Sequence, residues 1–497
     1  MKYTNPILPG FRPDPSICRV GEDFYLVNSS FEYFPAIPLY HSTDLVHWEQ
    51  LGHVLTRTEQ LSLKKGAPNC LGIYAPTIRH ANGRFYCIVT NVGGNDNFFV
   101  YTDDIRGEWS NPVQLPFKGI DPSLFFDDDG RVYYSGTDDG IFLSEIDITT
   151  GAALGERKCV WNGSGANNPE GPHLYKIGGK YYLMIAEGGT EQGHMVTIAR
   201  SDSVFGEYEA CPRNPILTNR GTELPIKAVG HADLVDDAKG NWWAVCLGNR
   251  PLGYPFTHNL GRETMLVPFV WEGGWPRFGA GGHVLEETEA PSAGEPTVTG
   301  RYVPGSDTRD DFTAGDFPPY WNTIYCPIGE IADRTEEGLL LRGNAFTISD
   351  DEPKAILLRR QEHFDFMAEV KLSPLAEDGE AGLTVYMNNR HHYEAAVVRR
   401  GGCSVIRLRR QLGTLKAEEG ELPIDEEAGE ITLRLEGSRD RYGFSVRIGE
   451  RAFSPLGGGE TRYLTTEVGG CFTGNYVGIY ASGATARFRD FMYEKRG

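Results

Sequence analysis

Three acidic residues stand at the openings of repeated, strand-rich units in the N-terminal half of the chain: Asp14 in Asp14-Pro15-Ser16-Ile17, Asp121 in Asp121-Pro122-Ser123-Leu124 and Glu170 in Glu170-Gly171-Pro172-His173-Leu174. Two further units open without an acid at that place, as Ala75-Pro76-Thr77-Ile78 and His231-Ala232-Asp233-Leu234-Val235. A lone Asp-Pro is more often a turn residue that bonds a nearby backbone N–H than a catalyst. Repetition at one structural position shifts that balance. Carboxylates gathered round one cleft are the usual equipment for breaking a glycosidic bond, one protonated as the acid and another ionised as base or nucleophile. Packing like charges together costs free energy and drives at least one pKa up, so such a cluster needs either a function or a counter-charge. Arg262, in Leu260-Gly261-Arg262-Glu263-Thr264, is the counter-charge candidate, and a purely structural ion-pair network stays open beside the chemical reading.

The acids need a scaffold that brings distant openings to one point. After each opening comes an aromatic strand: Asp23-Phe24-Tyr25-Leu26-Val27, Arg84-Phe85-Tyr86-Cys87-Ile88-Val89, Arg131-Val132-Tyr133-Tyr134, Lys180-Tyr181-Tyr182-Leu183-Met184 and Asn241-Trp242-Trp243-Ala244-Val245. Ala81-Asn82-Gly83 and Asp128-Asp129-Gly130 carry the Asn-Gly and Asp-Gly chemistry of hairpin turns. Third strands recur, as in Ile37-Pro38-Leu39-Tyr40 and Met195-Val196-Thr197-Ile198, and the lead-in Asn5-Pro6-Ile7-Leu8 returns as Asn214-Pro215-Ile216-Leu217. Several strands repeating every roughly 45–60 residues mark a β-propeller rather than a sandwich or solenoid. Five units predict five blades. First strands line a propeller's channel, so the three carboxylates are expected to converge on one axis.

Other residues on or near that ring are candidates for binding. His231 opens the fifth unit and is placed to hold an axial ion or water, while Phe31, Tyr33, Phe34 and Tyr74 lie near channel-facing loops where aromatic faces stack on sugars. Any one of these rings has a core residue as its plain alternative, and a lone histidine is more often structural than a ligand. No HExxH, Cys/His zinc spacing, complete EF-hand loop, Walker loop, G-x-S-x-G elbow or dinucleotide fingerprint occurs. Asp127-Asp128-Asp129-Gly130 is read as a turn.

With 497 residues, 40% hydrophobic and 11% aromatic, the chain has material for two domains. The expected division is a propeller over 1–285, a linker over 286–308 rich in Glu, Ala, Pro and Gly, and a second all-β domain over 309–497. There, about ten short alternating strands, such as Phe366-Met367-Ala368-Glu369-Val370 and Ile431-Thr432-Leu433-Arg434-Leu435, predict an antiparallel β-sandwich. A net charge of −20 argues against nucleic acid or an anionic membrane as partner. Nor is any apolar run near the length of a membrane span. Nine scattered cysteines without Cys-x-x-Cys pairs are expected to be mostly buried free thiols. The start Met1-Lys2-Tyr3-Thr4-Asn5-Pro6 lacks the pattern of a secretory signal, so a cytoplasmic enzyme is the simplest expectation.

Taken together, Asn5-Pro6-Ile7-Leu8-Pro9-Gly10-Phe11-Arg12-Pro13-Asp14-Pro15-Ser16, Gly119-Ile120-Asp121-Pro122-Ser123, Pro169-Glu170-Gly171-Pro172-His173, Gly230-His231-Ala232-Asp233 and Gly261-Arg262-Glu263 resemble glycoside hydrolase family 43, the β-xylosidase and α-L-arabinofuranosidase group. The likeness spans the propeller and, less specifically, the sandwich. It implies Asp14 as general base, Glu170 as general acid, and Asp121 as the third acid that tunes Glu170 and holds the sugar. It further implies Arg262 as a sugar-binding partner of the acids, His231 as the axial histidine, and single displacement with inversion. No cofactor is implied as required; a structural Ca2+ on the axis is allowed. Gly470-Cys471-Phe472-Thr473-Gly474 resembles the loop by which the sandwich of family xylosidases narrows the pocket, which makes Phe472 a binding candidate. Where many relatives carry Trp-Ala-Pro-Asp or Glu, this chain has Tyr74-Ala75-Pro76-Thr77, which leaves the sugar preference open. The expectation is an inverting exo-acting β-xylosidase for small oligosaccharides, with α-L-arabinofuranosidase activity as side or main activity. A non-catalytic carbohydrate-binding propeller is the alternative of another class, and a homo-oligomer is left open.

Overall fold

The computed structural model describes residues 1–61, 70–297, 299, 301–424 and 429–496; 62–69 of the expected propeller, 298 and 300 of the expected linker, and 425–428 and 497 of the expected second domain lie outside them. Five antiparallel sheets make up the N-terminal half. Their inner strands are Ser16–Val20, Thr77–Ala81, Ile120–Phe126, Glu170–Ile177 and Lys227–Asp236. Each pairs with the aromatic strand that follows it, and the third and fourth strands of each sheet succeed in order; the second sheet also takes in Gly72–Ile73. The inner strands neighbour one another in chain order and the fifth returns to the first, which closes the ring of a propeller.

Strand alternation builds the core between blades. Along Arg84–Val92, Phe85, Cys87 and Val89 pack toward blade one, while Tyr86 and Ile88 pack toward blade three. Successive side chains of a strand point to opposite faces, so every apolar residue here finds a neighbouring sheet. Hairpins behave as the turn chemistry dictates: Asn82 and Gly83 both take left-handed backbone, with φ of 54° and 77°, the type I′ geometry that matches strand twist.

The repeated Asn-Pro lead-in has a structural meaning. The Asn5 amide donates to the Leu266 carbonyl and its oxygen accepts the Leu266 N–H, at 3.0 and 2.8 Å. Asn214 makes the same two-way contact with Ile198, at 2.9 and 3.0 Å. In both cases an asparagine side chain stands in for a missing strand partner beside a third strand. Within the expected linker, Glu287–Glu289 pairs with Lys2–Thr4, so that stretch runs along the propeller rather than as a free spacer.

The C-terminal half is a sandwich of an eight-stranded and a six-stranded antiparallel sheet, more strands than the sequence patterns suggested. Leu357, Leu383 and Ile479 of the smaller sheet share one core with Val370, Leu433 and Phe488 of the larger. It docks on the propeller through buried polar contacts: Glu362 accepts from Arg12 at 2.6 Å and from Arg359 at 2.7 Å, and the Arg360 Nε–H donates to the Phe11 carbonyl at 2.7 Å. Thr323–Ile324 also pairs with Tyr33–Phe34. The expectation of mostly buried thiols holds for five of the nine cysteines, but one pair departs from it. Cys70 and Cys471 form a disulfide, because docking brings residues 401 apart in sequence to a Cα–Cα distance of 5.2 Å. Five of the other cysteines are buried thiols, while Cys159 and Cys403 are exposed.

Candidate active site

The ring residues are aimed by a local backbone device. Asp14, Asp121 and His231 adopt left-handed backbone, with φ of 51°, 53° and 48°, and so does Gly171 at 58°. Pairing registers shift at the same places, between Ile120 and Ser123 and between Glu170 and His173. A bulge of this kind bends the strand and re-aims a side chain. The expectation that the three acids share one position is corrected here. The left-handed place in blade four belongs to Gly171, and its acid, Glu170, comes from the residue before. A Cβ on Gly171 would lie 2.9 Å from the His231 ring, so no larger residue fits there and the carboxyl is supplied one residue earlier.

Eight of the ten residues singled out from the sequence for catalysis or binding line one cavity of about 270 Å3: Asp14, Phe31, Tyr74, Asp121, Glu170, His231, Arg262 and Phe472; Tyr33 and Phe34 are instead buried in hydrophobic clusters, the plain alternative for such rings. Asp14 is buried and held on both oxygens, by Arg262 Nη1 at 2.8 Å and by the Ser29 hydroxyl at 2.5 Å. Burial alone would raise its pKa, but the Arg262 charge and the Ser29 hydrogen bond outweigh it and hold Asp14 below the ordinary carboxylate range. Among the described residues Glu170 has no such holder. Burial first, and the negative charge of Asp14 second, push its pKa up to about 7 against the pull of Arg262. Asp121 is raised well above the ordinary carboxylate range, by burial and then by repulsion from Glu170 and Asp14; the Gly171 N–H, donated at 3.1 Å, and the Arg262 charge oppose this. The cluster therefore pairs Asp14, biased toward its ionised form, with two carboxyl groups biased toward their protonated forms.

Arg262 carries donors to spare. Its Nη1 also reaches the Thr190 hydroxyl at 3.2 Å, Nη2 has the Phe472 carbonyl at 3.5 Å, and Nε is buried without a partner among the described residues. Its guanidinium lies 5.8 Å from the ring centres of both Phe31 and Phe472. Phe31 sits 4.9 Å from Tyr74 and 6.0 Å, stacked, from Phe472, so the cavity has one aromatic wall shared by the two domains. Asn168, Thr190, Glu191 and His194 also line the cavity and were not picked out from the sequence. They sit on or beside the turn after the second strand of blade four and the loop before its first, where only a run of glycines hinted at a turn. A larger groove, about 750 Å3, opens between Gln50–His53 and Asp316–Trp321 but holds none of the ring acids.

Below the cavity a second polar layer fills the axis. Asp233 is fully buried, and Arg79 donates to both its oxygens at 2.8 and 3.2 Å, the Ser16 hydroxyl at 2.7 Å and the Tyr175 hydroxyl at 2.6 Å. Arg79 also reaches His173 Nδ1 at 2.9 Å, and Ser123 contacts the same nitrogen at 3.2 Å, so inner strands of all five blades meet there. A calcium ion takes about six to eight oxygen ligands. The axial oxygens are already committed to Arg79, Tyr175 and Ser16, the oxygens of Asp14 beside His231 to Arg262 and Ser29, and no group of three or more His, Cys, Asp or Glu among the described residues forms a metal cage. The residues do not fit an axial Ca2+, and the positive charge at this level is a guanidinium.

Comparison with known proteins agrees with this geometry. The family model "Glycosyl hydrolases family 43" matches residues 3–276, and "Beta xylosidase C-terminal Concanavalin A-like domain" matches residues 309–494. A non-reducing end alpha-L-arabinofuranosidase of Bacteroides ovatus is 40% identical over 97% of this chain and 91% of its own. A xylosidase/arabinosidase of Butyrivibrio fibrisolvens is 38% identical over 98% of both. Among solved structures, a xylan beta-1,4-xylosidase from Bacillus halodurans superposes with a TM-score of 0.93 at 34% identity, covering 99% of this chain and 100% of that one.

Proposed function

The chain belongs to glycosyl hydrolases family 43, and from that premise we propose that it is an inverting, exo-acting β-xylosidase that releases terminal xylose from short β-xylo-oligosaccharides and also accepts α-L-arabinofuranosides. The observation that carries the reading is the opposite protonation bias of Asp14 and Glu170 in one cavity. Ionised Asp14 takes a proton from water as that water attacks the anomeric carbon, and protonated Glu170 donates to the leaving oxygen, so the water oxygen ends on the opposite face from the departing group. Asp121, biased toward its protonated form, can donate a hydrogen bond to a sugar hydroxyl, and the spare donors of Arg262 bind others. Phe31, Tyr74 and Phe472 offer faces to the sugar ring.

Exo action is supported by the shape. A cavity of about 270 Å3 lies below the roughly 300 Å3 at which pockets for drug-sized ligands begin, and the Arg79–Asp233 layer lies beneath it, so a chain end fits where a passing polymer does not. No step draws on a metal. Side-by-side assays of aryl β-xyloside and aryl α-arabinofuranoside, with the first product anomer followed by proton NMR, test the reading. Turnover of the xyloside with an inverted first anomer is expected. Retention would remove the single-displacement mechanism, a dominant arabinofuranosidase rate would reverse the order of activities, and no turnover of either would sink the enzyme reading.

A further inference from the structure

The Cys70–Cys471 disulfide sits at the aromatic wall of the cavity, and neither cysteine belongs to the catalytic chemistry. We propose that these two residues are positioning residues under thiol–disulfide control: their bond fixes Phe472 against Phe31 and Tyr74, and its reduction loosens the sugar-binding wall while leaving the acids in place. The inference rests on the sugar-hydrolase reading of the same cavity.

The two ends of the bond differ in how they are held. On the propeller side Cys70 is anchored. Its N–H donates to the buried Glu32 carboxylate at 3.3 Å, its carbonyl accepts from the Tyr74 hydroxyl at 2.8 Å, and three residues on Ile73 exchanges main-chain bonds with Phe31 at 2.8 and 3.1 Å. Cys70 is thus tied directly to Tyr74 and, through Glu32 and Ile73, to the strand segment that carries Phe31. On the sandwich side Cys471 precedes Phe472, which is 40% exposed and whose carbonyl has, among the described residues, only the long Arg262 contact at 3.5 Å. The base of this loop is secured independently of the disulfide. Glu467 accepts from His258 at 2.7 Å on one side, and the Asn475 N–H donates to the Asn259 carbonyl at 2.9 Å on the other. Reduction therefore frees the tip of the loop without undocking the domain.

The chemistry balances with a low-molecular-weight disulfide as oxidant. Two cysteine thiols and one glutathione disulfide give the protein disulfide and two glutathione thiols, with two electrons and two protons passing to the small molecule; a dithiol reductant reverses the exchange. In a compartment buffered with thiols the wall is loose, and in an oxidising one it is fixed. A preorganised wall lowers the cost of ordering the rings on binding, so the effect belongs in KM rather than kcat.

The test uses the whole chain equilibrated with glutathione disulfide or with dithiothreitol, the state of residues 70 and 471 read by non-reducing peptide mapping, and kinetics on aryl β-xyloside. Expected are a mapped Cys70–Cys471 peptide in the oxidised sample, a KM higher by about two- to tenfold in the reduced one, and kcat within about twofold. C70S and C471S should match the reduced enzyme in both buffers, and F472A should remove the redox difference, which a merely structural crosslink would not allow. Free thiols at both positions after oxidation, or equal KM in the two mapped states of the wild-type chain, would overturn the proposal even if a serine variant fails to fold. If neither state turns over substrate, the hydrolase reading fails on its own; xylose affinity by calorimetry then decides, with weaker binding after reduction supporting the wall and equal binding rejecting it.

Discussion

Two acid clusters lie on the propeller axis, one above the other, and they are built in opposite ways. At the mouth Asp14, Asp121 and Glu170 share one arginine, and two of the three are pushed up in pKa by burial and by their like-charged neighbours, which the Arg262 charge and the Gly171 N–H do not offset. One layer down, Asp233 has a guanidinium on both oxygens and two hydroxyls besides, and its pKa is driven well below the ordinary range by the Arg79 charge in spite of burial. Burial of carboxylates is common to both layers. Compensation separates them: the lower layer is satisfied and locks five blades, whereas the upper one is left short of charge and so keeps protons available for chemistry.

The contrast is broken most sharply by one substitution in each layer. Glu170→Gln should lower kcat by about 10² or more, the usual contribution of a general acid, with the urea midpoint unchanged or raised, since a raised carboxyl is removed. Arg79→Met should do the reverse. It leaves Asp233 buried and unpaired, a loss of about 3–5 kcal/mol of stability, visible in urea unfolding, while enzyme that remains folded keeps kcat within about an order of magnitude. If Arg79→Met were as stable as the parent, or Glu170→Gln as active, the assignment of one layer to structure and the other to chemistry would fall. A smaller effect sharpens the same point. Because Arg79 supplies the axial charge, treatment with EDTA should leave both the activity and the thermal midpoint unchanged, and a loss restored by Ca2+ would show that a metal, not the guanidinium, fills that role.

Much of this was legible in the sequence where the physics is local or periodic. Strand alternation, aromatic second strands and Asn82-Gly83 gave the propeller units, and the repeated openings led to Asp14, Asp121 and Glu170, which line one cavity. The single-residue offset of Glu170 was hidden, since it follows from how close the Gly171 backbone comes to His231 across two blades. Long-range pairings were equally invisible: Asp233 was in plain view within a repeat opening, but its partner Arg79 lies 154 residues away, and Cys70 and Cys471 are 401 apart. Thr190 and Glu191 reach the cavity from a loop whose course is set by packing rather than by any residue pattern. In the sandwich, Leu415–Ile424 is mostly exposed and charged, so it lacks the alternation that marks a strand and adds to the sheet unannounced.

The division of protons within the upper layer is the central claim, and a pH–rate profile of kcat/KM in the parent chain and in Glu170→Gln tests it most directly. Glu170 must be protonated to act as acid, and with its pKa up at about 7 it stays so until the pH passes that value. Asp14, held low by Arg262, is ionised throughout. The profile should therefore be flat through mildly acidic pH and fall tenfold per unit above pH about 7, and Glu170→Gln should be slower but lose that basic limb. A basic limb that survives in Glu170→Gln, or a parent profile that falls from pH 5 upward as an unperturbed carboxyl would make it, would contradict the account.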